Sequence, residues 1–305
     1  MDLSFSLRPW LLVFALAVSL YAVSLFMLEQ DLLASALTRL ISWQGLLAGL
    51  LCLLSYLLRG WRWIAWMKLQ GRVFSPLQGM RFYLAGYAFT PTPGNVGEAA
   101  RGLMPTERPL SLGSSLAIYG AERLADLLCL LLLAIPAGAM LLSAIPIWLA
   151  SLPVLALALA AYLLGARRWR PLLLARLPWI AEAWTCLATR PSVWIGQTSL
   201  AWTLQGLAIW LLCLLVLDVP VSLLQAISIY ALSMVGGALS MLPAGLGGTE
   251  AILLALWLGT GATLGLAVIL TVMARLLTLW FAVALGAICL FYSVLIRKDL
   301  RFSSP

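Results

Sequence analysis

The stretch PTPGNVGEAARG, residues 91–102, interrupts an apolar segment with Pro91, Pro93, Gly94 and Gly97 and then sets Glu98 and Arg101 into it. A second break, LPAGLGGTEA, occupies residues 242–251 and carries Pro243, Gly245, Gly247, Gly248 and Glu250. Glu98 follows Pro91 by seven residues and precedes Arg123 by 25; Pro243, Glu250 and Arg275 repeat both spacings, each 152 residues further on. A charged side chain at membrane depth costs about 2.5–3.5 kcal/mol on insertion scales, so it is retained where it pairs or serves a pathway. Charged pairs duplicated behind helices broken by Pro and Gly are the pattern of a transport site built from two repeats. Only seven positions are identical between 91–126 and 243–278, against a Leu-rich background, but Pro, Glu and Arg coincide among them.

Composition places these breaks in a membrane protein. The chain has 305 residues, 63% of them hydrophobic and 10% charged, with a mean hydropathy of +1.03. Such a chain reads as an all-α polytopic membrane protein, one transmembrane domain over residues 1–305. Arg8 precedes the first apolar run with no small-residue cleavage site after it, which predicts an uncleaved span rather than a signal peptide. The net charge of +8 sits in short connectors, where the positive-inside rule puts it, and does not indicate nucleic acid. Cys52, Cys129, Cys186, Cys213 and Cys289 form no CxxC pair and read as small packing residues. There is no histidine, which removes the commonest metal ligand and the commonest general base; no metal or cofactor is expected.

Apolar runs of spanning length lie at 9–28, 40–58, 112–142, 147–164, 192–217 and 264–296. The two broken segments, 76–106 and 223–258, are expected as re-entrant helical hairpins, because unwound backbone at membrane depth is tolerated only inside protein or beside a wet cavity. With six full spans, two re-entrant hairpins and both termini cytoplasmic, Arg59, Arg62, Lys68, Arg72, Arg101, Arg108, the 167–190 connector and the C-terminal Arg297, Lys298 and Arg301 all face the cytoplasm. Were the broken segments ordinary spans, the arginine-rich connector would lie outside, against the positive-inside rule. The same topology sets 40–142 against 192–296 as an inverted repeat. The connector itself, with Trp169, Trp179 and Trp184 among its arginines, reads as an interfacial anchor or a recruiter of anionic lipid.

Glu98 and Arg101 share a helix face, as do Arg123 and Asp126, with Glu122 beside them. Asn95 or Gly94 can cap the first half-helix, whose free N–H groups make an anion site, and Gly247, Gly248 and Thr249 open the second, with Glu250 in its first turn. Arg275 is the lone charge between Glu250 and Arg297; its acceptor is Glu250, or Glu98 across the pseudo-symmetry axis. These charges either lock the hairpins as structural ion pairs or bind a substrate. In the second case the arginines take an anionic headgroup phosphate bidentately, and the glutamates act as gating partners or receive a cationic group. The candidate substrate-binding set is Glu98, Arg101, Arg123, Asp126, Glu250 and Arg275.

Pro93, Gly97, Glu98 and Arg101, then Glu122, Arg123 and Asp126, then Leu242, Pro243, Gly245, Leu246, Gly247 and Glu250, then Arg275, form a pattern that resembles the lysylphosphatidylglycerol synthase transmembrane region. That region is the flippase-like half of bacterial multiple-peptide-resistance factors. The resemblance covers nearly the whole chain. It implies translocation of aminoacylated or other headgroup-bearing lipids between leaflets of the bacterial inner membrane. The aminoacyl-transferase domain that accompanies the flippase in those factors has no counterpart in these residues, so lysyl transfer is not implied and the lipid is left open among phospholipid, glycolipid and polyprenyl-phosphate carriers. A lipid-modifying enzyme on a separate chain is the partner this suggests. The rival readings are an ion- or proton-coupled carrier of small solutes and a non-transporting subunit of a lipid-modifying complex. An intramembrane enzyme is disfavoured, since no histidine, paired catalytic Asp motif or nucleophile elbow is present.

Overall fold

The computed structural model describes residues 30–104, 109–141, 178–217 and 219–302, together with Ser19. Among them the chain is helical, with no strand. In order come α1 (Gln30–Leu40), α2 (Trp43–Leu69), α3 (Pro76–Gly86), α4 (Leu112–Leu141), α5 (Pro178–Ala188), α6 (Pro191–Val216), α7 (Leu223–Leu239), α8 (Gly248–Gly259), α9 (Leu264–Arg275) and α10 (Phe281–Phe302). A tight 3₁₀ segment, Pro93–Leu103, follows α3, and a 3₁₀ turn, Pro243–Gly245, joins α7 to α8. A π-helical turn, Leu276–Trp280, links α9 to α10.

Local chemistry sets the helix starts. Ser42 and Ser75 accept from the amides of Gly45 and Gln78 to open α2 and α3, and Pro76 and Pro191 take the first helical positions, where a missing N–H costs nothing. Ser222 and Gln225 close a reciprocal capping box at α7.

Three helical stretches are long and apolar enough to cross a membrane: Trp43–Leu69, Pro191–Val216 and Leu264–Val294. With α4 they occupy four of the six expected spans; 9–28 and 147–164 lie outside the described residues. Leu46, Leu50, Leu54, Leu214, Ile288 and Phe291 point outward from these helices, while arginines and carboxylates are buried between them. Apolar outside and charged inside is the arrangement a lipid solvent selects. The molecule is an all-α polytopic membrane protein.

Helix α2 packs along α6, α4 along α7, and α3 along α10, so the two halves of the chain interleave. The approach of α10 to the turn after α3 is close: a Cβ on Gly286 would stand 2.4 Å from Ala88 N and 2.8 Å from the Tyr87 carbonyl carbon. Only glycine admits that contact.

The structure corrects the reading of α2. The helix does not end at Leu58 but runs to Leu69, and Arg59 and Arg62 are 5% and 1% exposed on its inner face. Arg101 is buried as well. These three arginines are therefore interior groups rather than loop charges, and they leave the count that orients the chain. Of the other basic residues in that count, Lys68 and Arg190 are exposed, Arg72 is partly exposed, and Arg108 and residues 167–176 lie outside the described residues. The end of the arginine-rich connector is also more than a loop, since residues 178–188 form α5 and pack against α4 through the buried Ala183 and Cys186.

Candidate functional site

The two broken segments lie against each other in the structure. In the first, Gly94 and Asn95 take φ of 59° and 57°, the left-handed region, and the chain then winds as a 3₁₀ helix to Leu103. Its start is organised by Thr92, whose Oγ1 donates to the Phe89 carbonyl and accepts from Gly97 N at 2.8 Å. Thr92 thus does the work expected of Asn95 or Gly94. Gly94 instead offers its carbonyl to the Tyr119 hydroxyl. In the second segment Ala244 has φ 54° and Gly245 65°, and α8 begins after Gly247. Glu250 Oε2 accepts from Gly247 N at 2.7 Å, so the amide that opens α8 is occupied by the protein's own carboxylate.

Arg275 fastens the second break. Its Nε donates to Glu250 Oε1 at 2.6 Å, and its Nη2 donates to the Ala244 carbonyl at 2.8 Å. Alanine seldom takes a left-handed conformation, and such backbone persists only where its surroundings over-determine it. Here one guanidinium holds both the strained turn and the carboxylate at the start of α8. Of the two acceptors open to Arg275, the structure gives it Glu250.

The first break is held by a wider network. Arg101 Nη2 meets Glu122 Oε2 at 2.5 Å, and Arg101 Nη1 lies 3.5 Å from Glu98 Oε2. Arg123 lies 3.6 Å from Glu98 and 3.1 Å from Asp126. Asp126 also accepts from Arg62 at 2.9 Å, and Arg62 donates in turn to Thr198 Oγ1. Thr90 Oγ1 completes Glu98 at 2.9 Å. The network thus crosses from the broken segment through α4 to α2 and α6. Charged hydrogen bonds of this kind are the stronger sort, and they are strongest out of water.

Between the breaks lies a cavity of about 70 Å³, room for several water molecules. Its polar lining comes from both halves: Arg59, Glu98 and Arg123 from the first, Gln205, Tyr230 and Arg275 from the second. The π-helical turn shapes one wall. A π turn shifts the hydrogen-bond ladder by one residue, and the carbonyls of Leu277 and Thr278 receive the Tyr56 hydroxyl at 3.0 and 2.9 Å.

A family model for the lysylphosphatidylglycerol synthase TM region matches residues 10–286. The chain belongs to that family. No curated protein matches the sequence. Membership places the molecule among transmembrane regions of lipid-related proteins, and the match runs through both breaks and both arginine-bearing helices that follow them.

Of the six residues singled out from the sequence, Glu98, Arg123 and Arg275 line the cavity of this family member. Arg101, Asp126 and Glu250 stand behind them as ion-pair partners. The structure adds Arg59, Arg62 and Glu122. Glu122 is the closest partner of Arg101, and Arg62 the closest partner of Asp126. A signal for the two arginines exists in the sequence. The buried residues of α2 include Ala48, Cys52, Ser55, Arg59, Arg62 and Trp66, a stripe at helical three- and four-residue spacing that carries Arg59 and Arg62 inward with the rest.

Proposed function

We propose that the protein moves an anionic, headgroup-bearing lipid between leaflets of the bacterial inner membrane, by binding and conformational change rather than covalent chemistry. The observation that carries this reading is the cavity between the breaks, where three arginines and a single carboxylate converge inside an apolar molecule. Guanidinium forks match phosphate oxygens bidentately. The guanidinium groups that line this cavity suit a headgroup phosphate, and in this reading the tails stay in the bilayer while the headgroup crosses. Family membership supports a lipid as the cargo.

In this mechanism the breaks are re-entrant halves of an inverted repeat, residues 40–142 and 192–296, that rock about the cavity. Arg123 and Arg275 exchange their bonds to Glu98, Asp126 and Glu250 for bonds to phosphate, so each carboxylate releases a cation on loading and recovers it on unloading. The modest separations of Arg123 from Glu98 and Asp126, 3.6 and 3.1 Å, suit a pair that must open. An enzyme on a separate chain would supply the modified lipid.

The test is leaflet exchange. Reconstituted in liposomes, the wild-type protein should make a fluorescent anionic phospholipid or polyprenyl phosphate in the inner leaflet reachable by an outside quencher. Folded Arg123→Gln should slow that exchange at least tenfold. Exchange at the protein-free rate for every anionic lipid, with uptake of a water-soluble anion instead, would identify a solute carrier.

A further inference from the structure

Arg59 differs from every other arginine at the site. Among the described residues five arginines (Arg59, Arg62, Arg101, Arg123 and Arg275) meet four carboxylates (Glu98, Glu122, Asp126 and Glu250) around the cavity, and Arg59 is the one that belongs to none of the ion pairs. It is 5% exposed, and its Nε, like those of Arg62, Arg101 and Arg123, is buried without a hydrogen-bond partner. Its guanidinium lies over the Trp202 ring at 4.6 Å and the Tyr56 ring at 5.5 Å, and it lines the cavity with Gln205, Tyr230 and Thr278.

Burying a charge is costly unless it is paired, and arginine cannot escape by losing its proton. Ring faces compensate a guanidinium in part, since their negative quadrupole attracts the cation, but they leave its N–H groups without acceptors. Nothing in α2 requires an arginine here. The neighbouring Arg62 has two good acceptors, and Cys52, Ser55 and Tyr56 fill the same face as neutral groups. A buried, unpaired, donor-rich group aimed into a polar cavity indicates a ligand that brings the missing acceptors.

We infer that Arg59 is the primary anchor of a singly charged phosphate, a phosphodiester monoanion, whose charge balances the one cation at the site that makes no direct ion pair. The inference rests on the reading of the cavity as a headgroup site and names its charge class. Arg123 and Arg275 already have carboxylates and serve as secondary contacts. The aromatic pair Tyr56 and Trp202 orients the Arg59 fork, and Gln205, whose oxygen accepts from Tyr230 Oη at 3.0 Å, lines the same cavity. The shared chemistry is the phosphodiester; its source is a lipid headgroup or a free diester in water.

The experiment measures binding and ligand-free stability separately. Purified full-length protein is titrated calorimetrically with dihexanoyl phosphatidylglycerol and, in parallel, with dimethyl phosphate, which presents the same anion without tails. Wild type should bind the first, and Arg59→Gln should weaken that binding at least tenfold, with Arg59→Lys between them. Arg81→Gln should bind as wild type, because Arg81 also lies over aromatic rings, those of Phe82 and Tyr292, but does not line the cavity. Binding of dimethyl phosphate with the same dependence on Arg59 supports the anchor and assigns it to a free diester; binding of the lipid alone supports it and assigns it to a headgroup. Ligand-free Arg59→Gln should unfold at the wild-type temperature or above, since it removes an unpaired charge. Unchanged phosphodiester affinity in folded Arg59→Gln overturns the inference, and so does a loss of ligand-free stability as large as that of Arg275→Gln. Arg59-dependent binding without leaflet exchange would leave the inference standing and end the translocase reading; exchange without Arg59-dependent binding would do the reverse.

Discussion

Arg275→Gln removes the clamp on the second break, and its cost can be worked from the contacts. The side chain is 2% exposed and that of Glu250 22%, and the guanidinium serves two acceptors, the Glu250 carboxylate and the Ala244 carbonyl. Breaking a buried ion pair from one side costs about 3–5 kcal/mol, because the surviving charge remains buried and unpaired. Glu250 keeps the Gly247 amide at 2.7 Å and retains some contact with solvent, which favours the lower end. Arg275→Gln is therefore expected to cost about 3 kcal/mol, roughly a hundredfold in the ratio of folded to unfolded protein. Glu250→Gln leaves the more deeply buried partner stranded and should cost at least as much. Denaturant unfolding of the purified protein in detergent, followed by helical circular dichroism, measures both. The double variant should lose less than the sum of the single losses by about 0.5–3 kcal/mol, the range seen for residues in contact. Additive losses, or an Arg275→Gln protein as stable as wild type, would refute the claim that this pair holds the break.

Other expectations follow from single contacts. Arg62→Gln takes from Asp126 its closest partner but leaves it Arg123 at 3.1 Å, so it should cost about 1.5–3 kcal/mol in the same unfolding assay. Gly286→Ala drives a methyl group into the Tyr87–Ala88 backbone, and the forced separation of α10 should cost about 1–3 kcal/mol, measured as a fall in the unfolding midpoint. Thr90→Val deletes the hydroxyl that completes Glu98 and should cost about 1–3 kcal/mol; leaflet exchange should fall with it, since Glu98 faces the cavity.

What could be read from the sequence follows from which signals are local. The class of the molecule is written in its hydropathy, and the position of both breaks in Pro91–Gly97 and Pro243–Gly248, because proline and glycine act on the backbone where they stand. The repeated spacing of Glu and Arg led to Glu98, Arg123 and Arg275 for a similar reason: charge is rare enough in these helices that its placement stands out. The interior role of Arg59 and Arg62 was hidden because a hydropathy window ends a span where arginines begin, whereas Trp61, Trp63, Ile64 and Trp66 carry the helix on to Leu69. Only the face they occupy distinguishes an interior arginine from a loop anchor, and that face is fixed by the packing of α2 on α6. The left-handed Ala244 and the π turn after Arg275 arise from long-range contacts and have no local signature.

An experimental structure of the protein in nanodiscs containing an anionic phospholipid would show whether the cavity between the two breaks holds an anionic headgroup. Headgroup density is expected within hydrogen-bond reach of Arg59, Arg123 and Arg275, with acyl chains leading out between the helices. Lipid density confined to the outer surface, with the cavity holding only water in both wild type and an Arg59→Gln control, would contradict it.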